Sequence, residues 1–508
     1  MMRRIAMSDS VLRIIPVVVF FVLLMGIGVY VQKKSADAKA KNFSKEYFIG
    51  GRSLGGFVLA MTLVATYGSV SSFLSGAGKA WETGFGWVYY ATSNVVAAFL
   101  ILGVLGKKMA VVGRKTNSVT VIDVLRARYK SDLLSNICAI VIVVFFTTQM
   151  VSQFIGGAQL FAACTGFDYT IGLFIFAAVV VIYTTIGGFT AVAITDTACA
   201  IVMVVGTILL GVAVIQRGGG LDNIMANITA ESARAVATGQ GTDLLDPRAS
   251  GQIPFQLFLS QWLLCGVTTV GLPQSQVRCL GYKDTQSVHK AMLYGTIVVG
   301  IMMIGIHLIG TWSRGLFTTI DGSTDTVIPV VIVNYMLPVL GGVAIIGPLA
   351  AAMSTVSSLL IAGSSAIVKD MYLHYKEQKK EEPDQKLVAK ISFIVTAIMG
   401  LVSIIIAINP PDLIVWINMF AFGGLQTVFF WTMLFGMFWK TANKIGALAS
   451  VIGGLSSYCI TMALDIKIGS FHNIVIGLGI ALICFVIGNK FGKPIDDRTG
   501  RIFFPEKY

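Results

Sequence analysis

The sequence predicts an all-α polytopic membrane protein with about thirteen spans, on three observations. The composition is 55% hydrophobic and only 12% charged, with mean hydropathy +0.80, which excludes an ordinary soluble domain. Apolar runs near the ~20 residues that cross a bilayer recur along the whole chain. Lys and Arg gather in alternate connections, as they do where loops face the cytoplasm.

The runs fall at 14–32, 54–78, 86–106, 133–162, 170–188, 191–216, 254–280, 291–313, 329–367, 389–408, 413–439, 445–464 and 470–489. The first follows Arg3, Arg4 and Arg13 and precedes Ala36-Asp37-Ala38, an arrangement like a signal peptide with its cleavage site. It is long for such a segment, and Lys33-Lys34 directly after it resist translocation, so it reads as a retained span. The run 329–367 exceeds one crossing, and Pro338 with Gly341-Gly342 predicts a short surface helix ahead of the true span. The connection 217–253 reads as an external solvated loop, and 376–386, KEQKKEEPDQK, as a cytoplasmic linker. With the N-terminus outside, the inner segments hold 29 of the 38 Lys and Arg, which sets the C-terminus in the cytoplasm. The net charge of +13 is therefore a topology signal directed at the bilayer and does not call for nucleic acid.

Seven cysteines and four histidines are scattered singly, with no C-x-x-C pair, so neither a disulfide framework nor a metal centre is expected. A membrane-embedded enzyme would need clustered ionisable groups at depth; Asp196 and His307 are the candidates, in unrelated segments, so no enzyme is expected. Asp196 has two readings. It marks an ion path, as intramembrane carboxylates do, or it is hydrogen-bonded at a helix start and orients the Gly187-Gly188 turn.

The segment between Arg52 and Gly78 organises the rest. It is long enough to cross, yet its centre, Thr66-Tyr67-Gly68-Ser69-Val70-Ser71-Ser72, is small and polar. A span interrupted at mid-depth is tolerable only where the freed backbone groups face protein or a cavity, which predicts a binding site. In the ninth run, Ala351, Ser354, Thr355 and Ser358 are spaced i, i+3, i+4, i+7 and form one stripe. Alone, such a stripe equally suits close helix packing. Opposite a broken helix with free carbonyls, it supplies oxygen ligands for a hard cation, sodium being the natural candidate. The run 254–280 contains a second interruption, Gly266-Val-Thr-Thr-Val-Gly-Leu-Pro273. Five spans separate the two breaks. This predicts inverted repeats over 54–216 and 254–439, with 14–32 and 445–489 peripheral and 490–508 a cytoplasmic tail.

Several stretches resemble the sodium:solute symporter family: EYFIGGRSLGGFVLAMTLVATY (46–67), SSFLSGAG (71–78), GWVYYA (86–91), QFIGGAQL (153–160), YTTIGGFTA (183–191), GLPQSQVRCLGYKDTQSVHK (271–290), AAAMSTVSS (350–358) and NMFAFGGLQTVF (418–429). The resemblance spans nearly the whole chain. It implies the five-plus-five inverted-repeat fold of the leucine transporters, and sodium-coupled uptake of a small solute through the cell membrane. The implied solute is pantothenate, with proline, another amino acid or a short monocarboxylate as alternatives, and no obligate protein partner is implied. Carried over by position, the sodium ligands are the carbonyls of Ala65, Gly68 and Ala351 and the hydroxyls of Ser354 and Thr355. Substrate contacts are expected at Ser72, Gln153, Thr269 and Gln426. Gln274 and Cys199 depart from the family's usual His and Gln, and both are expected to tune gating. No Lys or Arg lies in the middle of a span, so a solute anion must be balanced by helix N-termini or by the ion.

Overall fold

The computed structural model describes residues 7–34, 43–409 and 414–507. Arg3, Arg4, the Ala36-Asp37-Ala38 stretch, residue 413 and the last residue of the tail lie outside them. Helices dominate the described residues throughout. The spans are α1 (Met7–Lys34), α2 (Gly56–Tyr67 and Ser72–Thr83), α3 (Phe85–Lys115), α4 (Asp132–Thr165), α5 and α6 (within Tyr169–Arg217), α7 (Phe255–Gly271 and Pro273–Leu280), α8 (Thr285–Arg314), α9 (Pro338–Gln378), α10 (Gln385–Ala407), α11 (Ile414–Phe438), α12 (Lys444–Ala463) and α13 (Asn473–Asn489).

The 49 residues of Tyr169–Arg217 are far too many for one crossing, and the element turns at Gly188, where φ is +72°. A Cβ there would lie 2.7 Å from the Tyr47 ring, so both the backbone angle and the close approach require glycine. Counting α5 and α6 separately, the thirteen expected segments are all present.

Two spans are bent at breaks, α2 by 68° and α7 by 47°. In α2 the first half ends at Tyr67, Gly68 is extended (ψ 125°), and the chain resumes through a π turn at Ser72–Gly76. In α7 the break falls at Leu272, and Pro273 starts the second half, where its missing N–H is not needed. A separate helix, Val327–Tyr335, precedes α9, which begins at Pro338 as the sequence suggested.

The reading of 217–253 as plain solvated loop is corrected. It contains a helix, Leu221–Thr238, with Ile224, Ile228 and Ala235 buried on one face and Glu231 paired with Arg314 of α8 at 2.5 Å. The apolar positions carry a helical period that the surrounding charges obscured.

The broken α2 packs on α8, α6 and α9, while α12 and α13 pack on each other and on α11. α1 lies along α5–α6 and α9 and leaves Val18, Val19, Val22 and Leu23 exposed, a lipid-facing row. The α2–α8 crossing is tight at Gly310, where a Cβ would sit 2.2 Å from the carbonyl oxygen of Ala77. Gly310→Ala is therefore expected to lower the melting temperature of the purified protein in detergent, reflecting overpacking of about 1–3 kcal/mol. Gly479→Ala in α13, where nothing lies within 4 Å, is the control expected to leave it unchanged.

Candidate functional site: an ion pocket, a charged plug and a cavity

The break in α2 frees backbone groups that other elements then satisfy. Ser72 N–H bonds Ser69 O instead of continuing the helix from Gly68, and Val70 N–H donates to Gln153 Oε1 of α4 at 3.0 Å. Two carbonyls on the α9 side are met by the hydroxyl stripe. Ser354 Oγ lies 2.8 Å from Ala65 O, and Thr355 Oγ1 lies 3.0 Å from Gly68 O. Ala351 O joins them, 3.2 Å from Ser354 Oγ and 2.9 Å from Thr355 Oγ1. The five oxygens expected from Ala65, Gly68, Ala351, Ser354 and Thr355 thus converge on one buried point, with no charged group among them. Each hydroxyl also has an acceptor in its own helix, Ala350 O at 2.7 Å for Ser354 and Ala351 O for Thr355. Both protons can therefore turn inward along α9 and leave lone pairs for a cation.

Ser358, the fourth member of the stripe, belongs to a different cluster. Asp196 of α6 is fully buried and meets Arg278 of α7, 1% exposed, with Arg278 Nη2 3.2 Å from Asp196 Oδ2. Thr62 donates to Asp196 Oδ2 at 2.6 Å. Arg278 further donates to Thr62 O (3.2 Å), Gln274 O (2.5 Å), Ser358 Oγ (2.5 Å) and the Thr66 hydroxyl. This plug fastens the first half of α2, α6, α7 and α9 together. Of the two readings of Asp196, neither anticipated its partner. Arg278 stands near the end of the 254–280 run, outside the middle of a span, yet the fold buries it. After Pro273 the second half of α7 is a single α turn, Pro273–Gln276, followed by a 3₁₀ turn, Val277–Leu280, and its end lies inside the bundle.

On the other side of the break lies a narrow cavity of about 50 Å³, walled by the second half of α2, α3, α7, α8 and α11. It has room for a few waters at most and must widen to admit an organic solute. Of the four residues expected to touch substrate, Ser72 is on its wall. Gln153 is bound to the α2 break as described. Gln426 Oε1 accepts from Thr268 at 2.7 Å and its amide donates to Leu264 O at 2.7 Å, while Thr269 donates to Gly266 O at 2.5 Å; these groups brace the irregular part of α7. The wall instead carries Tyr67 from the break and His307, together with Trp87, Asn94, Gln261 and Asn418, which sequence reasoning passed over as span residues. Gln274 reaches Gln149 of α4 at 3.4 Å, and Cys199 is buried in α6, both near the plug.

Two broken helices that pair a mid-depth oxygen pocket with a cavity on one side and a charged plug on the other define a secondary transporter working by alternating access. The model of the sodium:solute symporter family matches residues 47–454, and the chain belongs to that family of sodium-coupled membrane transporters, which are not enzymes. It is 40% identical over 489 residues to the sodium/pantothenate symporter of Haemophilus influenzae (96% of this chain, 98% of the relative) and 38% identical over 486 residues to that of Escherichia coli (96% and 98%). An osmoregulated proline transporter of Bacillus subtilis is 26% identical (96% and 97%). Among solved structures, a substrate-bound, outward-open sodium-coupled sialic acid symporter superposes with a TM-score of 0.77 at 20% identity, covering 96% of this chain and 98% of that one. Mhp1, a nucleobase-cation-symport-1 family transporter in a closed conformation, gives 0.54 at 15% identity (90% and 97%). The fold is that of the leucine transporters, as the resemblance implied.

The plug makes a stability prediction. Arg278→Leu leaves Asp196 buried without its counter-charge and is expected to destabilise the protein by about 3–5 kcal/mol, whereas Asp196→Leu combined with Arg278→Leu recovers most of that loss. Melting temperatures of the three purified proteins in detergent measure the difference.

Proposed function

We propose that this protein imports pantothenate together with sodium across the cell membrane, its N-terminus outside and its C-terminus in the cytoplasm. The observation that carries the sodium part is the convergence of five uncharged oxygens from Ala65, Gly68, Ala351, Ser354 and Thr355. The choice of solute is supported by full-length relatives near 40% identity named for pantothenate. Relatives named for proline stand at 26–27% and support that alternative less.

In this reading the cavity opens outward and the Asp196–Arg278 plug is the inner gate. Residues 54–216 and 254–439 are the inverted repeats. Sodium binds while the outer side is open and draws the α2 break toward α9. This favours the arrangement in which the cavity closes and the plug parts, because a ligand shifts an equilibrium only through its unequal affinity for the two states. Gln153, Thr269 and Gln426 act through the breaks they brace, and Ser72 faces the solute. The solute's carboxylate is balanced by the bound ion and by the N-terminal end of the second half of α2. One sodium with one monoanion moves no net charge, so a tenfold sodium gradient contributes ~1.4 kcal/mol and the membrane potential contributes nothing.

Labelled pantothenate should accumulate in proteoliposomes only under an inward sodium gradient. Ser354→Ala and Thr355→Ala should each raise the sodium concentration for half-maximal uptake. Unchanged sodium dependence in both variants would remove the proposed ion pocket.

A further inference from the structure

The cavity wall holds a histidine whose proton position is fixed by the fold. His307 Nδ1 of α8 lies 2.5 Å from the carbonyl oxygen of Met303, one turn earlier in the same helix. A carbonyl can only accept, so Nδ1 carries the hydrogen and the neutral ring presents the lone pair of Nε2. Nε2 has no hydrogen-bond partner among the described residues and faces the cavity beside Gly76. A Cβ at Gly76 would lie 2.6 Å from Nε2, so the glycine in α2 keeps this atom accessible.

Two further acceptors on the same wall are unpartnered. Gln261 Oε1 of α7 and Asn418 Oδ1 of α11 are buried and receive no donor, the Gln261 amide being engaged with the Cys265 thiol. His307, Gln261 and Asn418 are each less than a tenth exposed. Buried acceptors on three helices that meet no donor in the protein are the complement of a ligand that brings donors. No Lys, Arg, Asp or Glu is among the lining residues, so the wall offers hydrogen-bond acceptors in place of charge.

We propose that His307, Gln261 and Asn418 form an acceptor subsite that recognises the hydroxyl and amide N–H groups of the transported solute. The inference rests on the pantothenate reading and extends it. Pantothenate carries two hydroxyls and one amide N–H, three donors for three acceptors, and its carboxylate at the other end is left to the ion and the α2 break. A site that hydrogen-bonds a solute's hydroxyls rejects analogues lacking them, because its own buried groups are then left unpaired.

The test is sodium-driven uptake in proteoliposomes of labelled pantothenate, competed by analogues lacking one hydroxyl and by the alcohol analogue in which the carboxylate is replaced by CH2OH. Wild-type protein is expected to discriminate against a deoxy analogue by roughly tenfold or more. His307→Phe should raise the half-saturating pantothenate concentration by a similar factor and erase discrimination at one hydroxyl. His307→Gln, which restores an acceptor, should recover part of it. Asn418→Leu should erase discrimination at another donor. Half-saturation by sodium should stay within twofold in all three variants, which separates the effect from misfolding. Variants that weaken pantothenate and its deoxy analogues equally, or a His307→Phe loss that vanishes with the alcohol analogue and so reports charge pairing, overturn this assignment alone. Wild-type protein that takes up no pantothenate overturns the proposed function and this assignment together.

Discussion

A helix interrupted in the middle of a bilayer exposes amide and carbonyl groups that hydrocarbon cannot satisfy, and everything at the centre of this molecule answers that constraint. At the α2 break, Gln153 takes the Val70 N–H, and the hydroxyls of Ser354 and Thr355 meet the carbonyls of Ala65 and Gly68. At the α7 break, Gln426 bonds Thr268 and Leu264 O, and Gln276 donates to Val270 O at 2.6 Å. The same groups that make the α2 break tolerable gather the five uncharged oxygens proposed to hold sodium. In that proposal a cation would replace hydrogen bonds already aimed at one point.

Charge is kept apart from this pocket. The five oxygens are neutral, whereas Asp196 and Arg278 neutralise each other one layer away and bind four elements into a seal. A fully buried pair is weak evidence of net stability, and each partner is costly to keep buried without the other. Ser358 and Thr66 touch this seal, while Ser354, one turn before Ser358, touches the pocket. A single helical turn of α9 therefore spans both devices, and a movement of α2 against α9 must disturb the two together.

Much of this was legible in the residues. The thirteen spans, the position of the α2 break and the membership of Ser354 and Thr355 in one facing stripe follow from hydropathy and helical spacing, which are local properties. Three things were not. Arg278 stands eighty-odd residues from Asp196 and reads as one more basic residue at a span end; only the fold brings it inside. Gln153 and Gln426 announce themselves as polar groups in apolar runs, but spacing cannot say whether such a group faces a solute or a neighbouring backbone. The cavity wall recruits Trp87, Gln261, His307 and Asn418 from four different spans, a juxtaposition that exists only after packing.

Cys265 lies on that wall at the π turn of α7, next to Gln261 and in line with Tyr67, whose hydroxyl bonds its carbonyl at 2.6 Å. The other six thiols sit elsewhere in the helices, and none of them lines this cavity. A thiol buried in this wall is shielded for as long as the cavity stays narrow. Once Cys459 and Cys484, the two partly exposed thiols, are replaced, the rate at which a small reagent alkylates Cys265 reads how often this cavity widens.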